Sequence, residues 1–446
     1  MIKVRPGRES AWAAIAAFSL TFLIWSPSLS GSFAKDDISN IAVNPVTERP
    51  GEWPRFFFDP AAATTDPELR DTYRPLASLS YGLTAVVFGK NPFFFHLAAV
   101  LGHAANAALV LLIAWELCAS LPAAAAGAAW FAFHPVQAEG VSYISAAHPG
   151  VFALLLTLLA LRLHRRGRRG PALAFFLAAG LFKESAVAFA PLFILSTWTR
   201  TPREEWKKAA RAGLPYFAVS LVILAARLPV LHGLGQYAPY GGSWPTQVVF
   251  ALGGVAAHAR DAFWPYGQSV CYSLSGPNIQ AQAAAGAIVL LAWGAALYAA
   301  WRRRSPWLLP LCWPAAALLT VSNIVPRPIF AADRFLYAAL PGAAWSLALL
   351  LRRRPRLAAG IAALLFIWLA PRCLEQQAAW KNNFTIDLAS YQATTDPCAA
   401  GVLAIDYFNA GDFARASALV HEGLSRMPSP PVERALNRIE GLSNGH

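Results

Sequence analysis

The chain has 446 residues, 56% of them hydrophobic and only 14% charged, with 16 Trp and 27 Phe. The apolar residues come in blocks of about 17 to 25, the length that a hydrocarbon core of ~30 Å asks of a helix, so a water-soluble globular fold is set aside. The net charge of +13 lies in short arginine-rich breaks beside those blocks, which reports membrane orientation and argues against a nucleic-acid partner. The expected fold class is all-α, a polytopic protein surrounded by membrane lipids.

Lys3, Arg5 and Arg8 precede the first apolar segment, residues 11–33, which is too long and bulky for a cleaved signal peptide and reads as a retained signal anchor. It leads into a polar outer loop over 34–91 that opens with Asp36 and Asp37. An acid pair at the water-facing mouth of a first transmembrane helix is solvated and available for chemistry. Ser39 and Asn40 follow, so a helix N-cap role competes. Arg74 lies in the same loop, within Tyr73-Arg74-Pro75-Leu76. The returning span, 93–117, carries His96, His103 and Asn106 on one face, a pattern suited to interhelical hydrogen bonding more than to ligation. Residues 121–133 then cross to a second outer loop, His134 to His148. There His134 or Glu139 would orient an acceptor or a metal, or would cap and hydrogen-bond within the loop.

Holding the clusters Arg165, Arg166, Arg168 and Arg169, then Arg302 to Arg304, then Arg352 to Arg354 with Arg356, on the cytoplasmic side orders the rest. Residues 149–163 return, 171–182 go out to Lys183-Glu184, 187–199 come back, and 213–231 cross to the loop His232 to Pro245. Residues 247–264 contain His258, Arg260 and Asp261, and a span there would push the later arginines outside, so this stretch reads as re-entrant or interfacial. Spans at 281–301, 306–325, 335–351 and 357–371 follow, the third opened from outside by Asp333-Arg334-Phe335-Leu336-Tyr337. The expectation is about eleven spans in a membrane domain over 1–371. A helical tail over 372–446 then lies outside.

In that tail Leu403, Ala404, Tyr407, Gly411, Asp412, Ala416, Val420, Gly423 and Pro428 fall at the spacing of one tetratricopeptide repeat, with an ordinary helical hairpin as the competing reading. A single repeat cannot bury its own face, so it needs the membrane domain, a second copy or a protein partner. Cys118, Cys271 and Cys312 lie in or near apolar segments; Cys373 and Cys398 lie in the tail and would be able to pair in an oxidising space, although free buried cysteines are preferred. Asn383-Phe384-Thr385 matches the short and common glycosylation sequon.

The outer-facing polar set is Asp36, Asp37, Arg74, His134, Glu139, His148, Lys183, Glu184, Asp333 and Arg334. A carboxylate there can accept a proton from an attacking hydroxyl while cations hold a phosphate leaving group; the plainer reading has helix ends meeting headgroups and water. Taken in order, Asp36-Asp37, Tyr73-Arg74-Pro75-Leu76, Asn91-Pro92 with Phe95-His96-Leu97 and His103, His134 to Glu139, Lys183-Glu184-Ser185 and Asp333 to Tyr337 resemble a known set. The chain resembles the transmembrane and tetratricopeptide-repeat-containing O-mannosyltransferases and their bacterial relatives, within the GT-C superfamily of polyprenyl-phosphate-sugar-dependent glycosyltransferases. The resemblance implies an inverting transfer to a hydroxyl on a protein or glycan acceptor, with Asp36 or Asp37 as base and Arg334 with Arg74 or Lys183 on the donor phosphate. It leaves a divalent metal open, because some members of the superfamily use one.

Two departures stand out. Relatives carry a basic and an acidic residue where this chain reads Ala146-Ala147-His148-Pro149-Gly150, with His148 as the substitute cation, and the tail holds one repeat instead of an array. The leading expectation is a glycosyltransferase of a bacterial inner membrane, acting on the periplasmic face. Its rival is a non-catalytic scaffold whose tail recruits partners for envelope assembly. A transporter would place its charges near the midplane of broken helices, and here they sit mostly at one face.

Overall fold

In the computed structural model the described residues are 7–231, 237–272, 278–327, 329, 331–394, 396–426, 433, 435 and 436. Lys3, Arg5, His232 and Pro428 lie outside them. Every regular element among the described residues is helical. In chain order the α-helices are α1 (Arg8–Trp25), α2 (Pro60–Ala63), α3 (Pro75–Phe88), α4 (Pro92–Cys118), α5 (Leu121–Phe133), α6 (Gln137–Ser142), α7 (Ile144–Arg165), α8 (Arg169–Phe182) and α9 (Ala190–Trp198). They continue as α10 (Trp206–Leu231), α11 (Trp244–Phe263), α12 (Ile279–Arg302), α13 (Leu308–Leu319), α14 (Leu340–Leu351), α15 (Pro355–Ala379), α16 (Asn383–Ala393), α17 (Pro397–Asn409) and α18 (Phe413–Arg426).

Six segments are long and apolar enough to cross a bilayer: α1 with its short extension to Ser30, α4, α7, α10, α12 and α15. Their outer surfaces are apolar, with Leu23, Leu221, Ile288, Leu291, Leu364 and Ile367 all exposed, as helices solvated by lipid tails require. Six shorter apolar helices accompany them. At ~1.5 Å per residue a helix such as α5 spans only ~20 Å, short of the hydrocarbon thickness. Five of the expected spans correspond to these short helices, and the sixth, α3, lies within the stretch read as a polar loop over 34–91. α11, read as re-entrant or interfacial, is not among the helices long and apolar enough to span. α15 continues through residue 371 to Ala379 as one helix, past the expected edge of the membrane domain.

The chain divides into two compact units. The first comprises Met1–Gln236, Leu291–Val321 and Arg334–Gln377. At its centre α4 packs on α1, α5, α7 and α14. The sequence permits that closeness: Gly127 on α5 leaves no room for a Cβ against the Ala344 carbonyl of α14. Local signals start the helices where expected, as at α4, where Asn91 accepts the Phe93 N–H at 3.1 Å and Pro92 occupies the first turn.

The second unit comprises Tyr237–Leu290, Ser322–Asp333 and Ala378–His446. In it α17 and α18 form a hairpin around Leu403, Ala404, Leu419 and Val420. Thr385 of the sequon is part of a capping box with Asn382 at the start of α16. Cys271 is bonded to Cys398, while Cys118, Cys312 and Cys373 are thiols. This corrects the preference for free cysteines and the Cys373–Cys398 pairing: Cys373 is buried in α15 of the first unit, beside Gln377.

Candidate active site

Asp36 and Asp37 are neighbours with different surroundings. Lys35, in the left-handed region (φ 53°), turns the chain sharply, and Asp37 then leads into a π turn over Ile38–Ala42. Asp37 is fully buried, its carboxylate accepting the Ala34 N–H at 3.1 Å on one oxygen and the Ser145 N–H at 2.7 Å on the other. Ser145 lies in the first turn of α7, whose N-cap residue Tyr143 makes no side-chain cap. Asp37 therefore satisfies an orphan amide of α7 and meets the positive end of its dipole. Burial pushes the Asp37 carboxyl up to about 7, against these hydrogen bonds, and the charge of Asp36 adds to the rise.

Asp36 is half-buried. Its backbone N–H donates to the Tyr143 hydroxyl at 3.3 Å, and the same hydroxyl is hydrogen-bonded to the Asp36 side chain. Burial holds the Tyr143 phenol well above its ordinary range, with the nearby Asp36 and Asp37 charges adding to the effect, so it keeps its proton and donates.

Glu139 is buried on α6, where it accepts the Arg334 backbone N–H at 2.7 Å and pairs with the Arg334 guanidinium. The next residue, Gly140, is required: a Cβ there would lie 2.8 Å from the Tyr337 ring. Tyr337 is hydrogen-bonded through its hydroxyl to His103 Nδ1 at 2.9 Å and to Asn106 Nδ2 at 3.0 Å. His103 Nε2 faces the Ala132 carbonyl at 3.2 Å, so Nε2 carries the proton, Nδ1 accepts from the phenol, and the phenol accepts from Asn106. Arg334, Tyr337 and Lys183 line a cleft whose other walls include Ala153, Leu154, Phe189 and Val321. Two cations on a mostly apolar wall suit a ligand with a phosphate and a hydrocarbon chain.

The remaining expected site residues lie elsewhere. Arg74 pairs with Glu184 at 3.1 Å, so each neutralises the other. His134 ends α5, buried, with Nδ1 facing the Val136 N–H at 3.4 Å. His148 is buried within α7, its ring nitrogens facing the Ser80 hydroxyl at 2.8 Å and the Phe95 carbonyl at 3.1 Å, among the rings of Tyr81, Phe95 and Phe152. The stretch read as an outer loop from His134 to His148 is thus mostly α6 and the start of α7, buried throughout, with its polar side chains Gln137, Glu139 and His148 hydrogen-bonded inside the protein. Asp333, in the second unit, accepts the Tyr272 hydroxyl at 2.6 Å. Among the described residues no three His, Cys, Asp or Glu side chains converge as a metal site would need.

No family model and no solved structure matches the chain. Over 196 residues, 40% of this chain, it is 34% identical to protein O-mannosyl-transferase TMTC1 of Mus musculus, a match covering 20% of that protein. The Homo sapiens TMTC1 is 32% identical over 169 residues, covering 36% of this chain and 18% of its own length. Protein O-mannosyl-transferase TMTC2 of Homo sapiens is 29% identical over 183 residues, covering 38% and 21%. The chain is similar to the protein O-mannosyl-transferases. It spans about a fifth of the length of these relatives. The likeness read from the ordered motifs is borne out, and the apolar helices agree with a membrane protein of this kind.

Sequence reasoning overlooked Tyr143, Ser145 and the role of Asn40, whose Nδ2 donates to the Ser145 hydroxyl at 3.1 Å. One signal was available: a tyrosine four residues after Glu139, in a stretch otherwise made of small and aliphatic residues. That the chain breaks there between two helices left no mark on its periodicity.

Proposed function

We propose that the chain is a membrane glycosyltransferase that moves a sugar from a polyprenyl-phosphate-linked donor to a hydroxyl acceptor, with inversion, on the non-cytoplasmic face. The observation that carries this reading is the cleft on which Lys183 and Arg334 stand together against apolar walls. The names of the relatives make mannose the first sugar to try and a protein hydroxyl the first acceptor.

Asp36 is the base in this reading, because Asp37 spends both oxygens on backbone amides. The acceptor O–H proton passes to the Asp36 carboxylate as the oxygen attacks the anomeric carbon. The bond from that carbon to the phosphate oxygen breaks, and its electron pair stays on the polyprenyl phosphate. Lys183 and Arg334 hold the phosphate charge because both line the cleft, Arg334 while it is held by Glu139, whereas Arg74 and its partner Glu184 are not part of that lining. The Cys271–Cys398 disulfide supports a second unit facing an oxidising space, such as the periplasmic side of a bacterial inner membrane with the N-terminus cytoplasmic.

The alternative, a scaffold, takes α17–α18 as one tetratricopeptide repeat that docks a partner; the exposed Phe413 at the start of α18 favours it. Asp36→Asn separates the two. In nanodiscs with undecaprenyl-phosphate-mannose and a Ser/Thr-rich peptide, the variant is expected to lose at least about a hundredfold in transfer rate at unchanged expression. Full activity would end the catalytic assignment.

A further inference from the structure

The acid proposed as base and the cation proposed to hold phosphate are opposite charges on one side of the first unit, and Arg334 lies within electrostatic reach of Asp36. Left to themselves they would pair, and a direct ion pair would occupy the base. A single short segment, Glu139 to Ser145, works against this. Glu139 engages Arg334 through both its backbone N–H, at 2.7 Å, and its guanidinium. Ser145 engages Asp37 through its N–H at 2.7 Å. Between them stands Tyr143, the one extended residue (φ −91°, ψ 106°) separating α6 from α7, buried and with its hydroxyl receiving the Asp36 N–H at 3.3 Å.

We propose that Tyr143 is the positioning residue for Asp36, holding its carboxylate away from Arg334 and aimed for proton transfer. This rests on the transfer reaction proposed above. The phenol has one proton to give. Donated to one carboxylate oxygen, it fixes the rotamer and leaves the other oxygen to take the proton of the acceptor hydroxyl. Because the phenol also accepts the Asp36 N–H, backbone and side chain of the acid are tied to the same atom. The tie starts from a buried residue, whereas Asp36 is half-buried on a turn.

The test uses the full-length protein in nanodiscs, with undecaprenyl-phosphate-[14C]mannose and a Ser/Thr-rich peptide as probes. Tyr143→Phe is expected to lower kcat by roughly ten- to a hundredfold, the cost of one hydrogen bond to a charged group, with the donor KM within about twofold. Tyr143→Gln, which returns a donor to the site, is expected to recover part of that loss. In infrared difference spectra the carboxylate band that disappears in Asp36→Asn is expected to shift in Tyr143→Phe, a readout that requires no turnover. Wild-type kcat in Tyr143→Phe beside an inactive Asp36→Asn overturns the positioning role alone. Full activity of Asp36→Asn overturns the transfer reading and this proposal with it. If the wild type moves no mannose from this probe, the infrared band decides, and a band unmoved by Tyr143→Phe overturns the proposal.

Discussion

At the scale of single residues, two adjacent carboxylates have been given opposite tasks by what surrounds them. Asp37 caps a helix far from it in sequence, and Asp36 is left half-buried beside a phenol. The raised Asp37 carboxyl, about 7 in the folded protein, means that the fold holds that proton more tightly than the unfolded chain does. Its contribution to stability is therefore complete below the ordinary carboxylate range and is lost as the pH rises through 7. The melting temperature of the wild type is expected to fall between about pH 5 and about pH 8 more steeply than that of Asp37→Asn, which cannot ionise. Scanning fluorimetry in detergent reads this directly, and parallel pH slopes would refute it. The acid pair was visible in the sequence. Which member caps and which faces the phenol was not, because both partners, Ser145 and Tyr143, are more than a hundred residues away.

At the scale of elements, the decisive feature is the break between α6 and α7. One extended residue lets a buried helix end present an amide to Asp37 while the short helix before it presents Glu139 to Arg334. Gly140 is what allows Tyr337 to lie against that short helix. Gly140→Val is expected to cost about 1–3 kcal/mol of stability, because the added side chain must displace the Tyr337 ring or shift the backbone. Gly360→Ala is the matched control: a Cβ there meets nothing within 4 Å, and the helix it sits in gains up to about 1 kcal/mol from the exchange. Thermal melts of the two variants are expected to move in opposite directions, and a neutral Gly140→Val would show that the Tyr337 packing is not fixed there. The long apolar helices were legible from composition, since length and hydropathy alone identify them. Helices α3 and α6 were not: α3 sits inside a stretch whose polar ends read as loop, and α6 is too short to show a period.

At the scale of the whole chain, the disulfide closes a loop with a sequence separation of 127 within the second unit. In the chain-entropy account such a closure contributes on the order of 5 kcal/mol by restricting the unfolded state. Denatured protein alkylated without reduction is expected to gain three adducts, at Cys118, Cys312 and Cys373, and five after reduction. Intact mass spectrometry counts them, and five adducts before reduction would show that the Cys271–Cys398 bond does not form in the cell. Reduction is further expected to lower the unfolding temperature of the second unit.

The sequence by itself determined that the chain is helical and apolar, where its long helices run, and which ordered motifs ally it with the protein O-mannosyl-transferases. Those properties follow from local composition and spacing. Only the tertiary structure decided that Arg74 and Glu184 neutralise each other and that His148 is enclosed by aromatic rings. It also decided that Lys183 and Arg334 share one cleft, and that one acid caps a helix while the backbone N–H of the other meets the Tyr143 hydroxyl. The physical reason is that hydrogen bonds and ion pairs are specific to the groups that meet, and these partners are brought together by helix packing over long sequence separations.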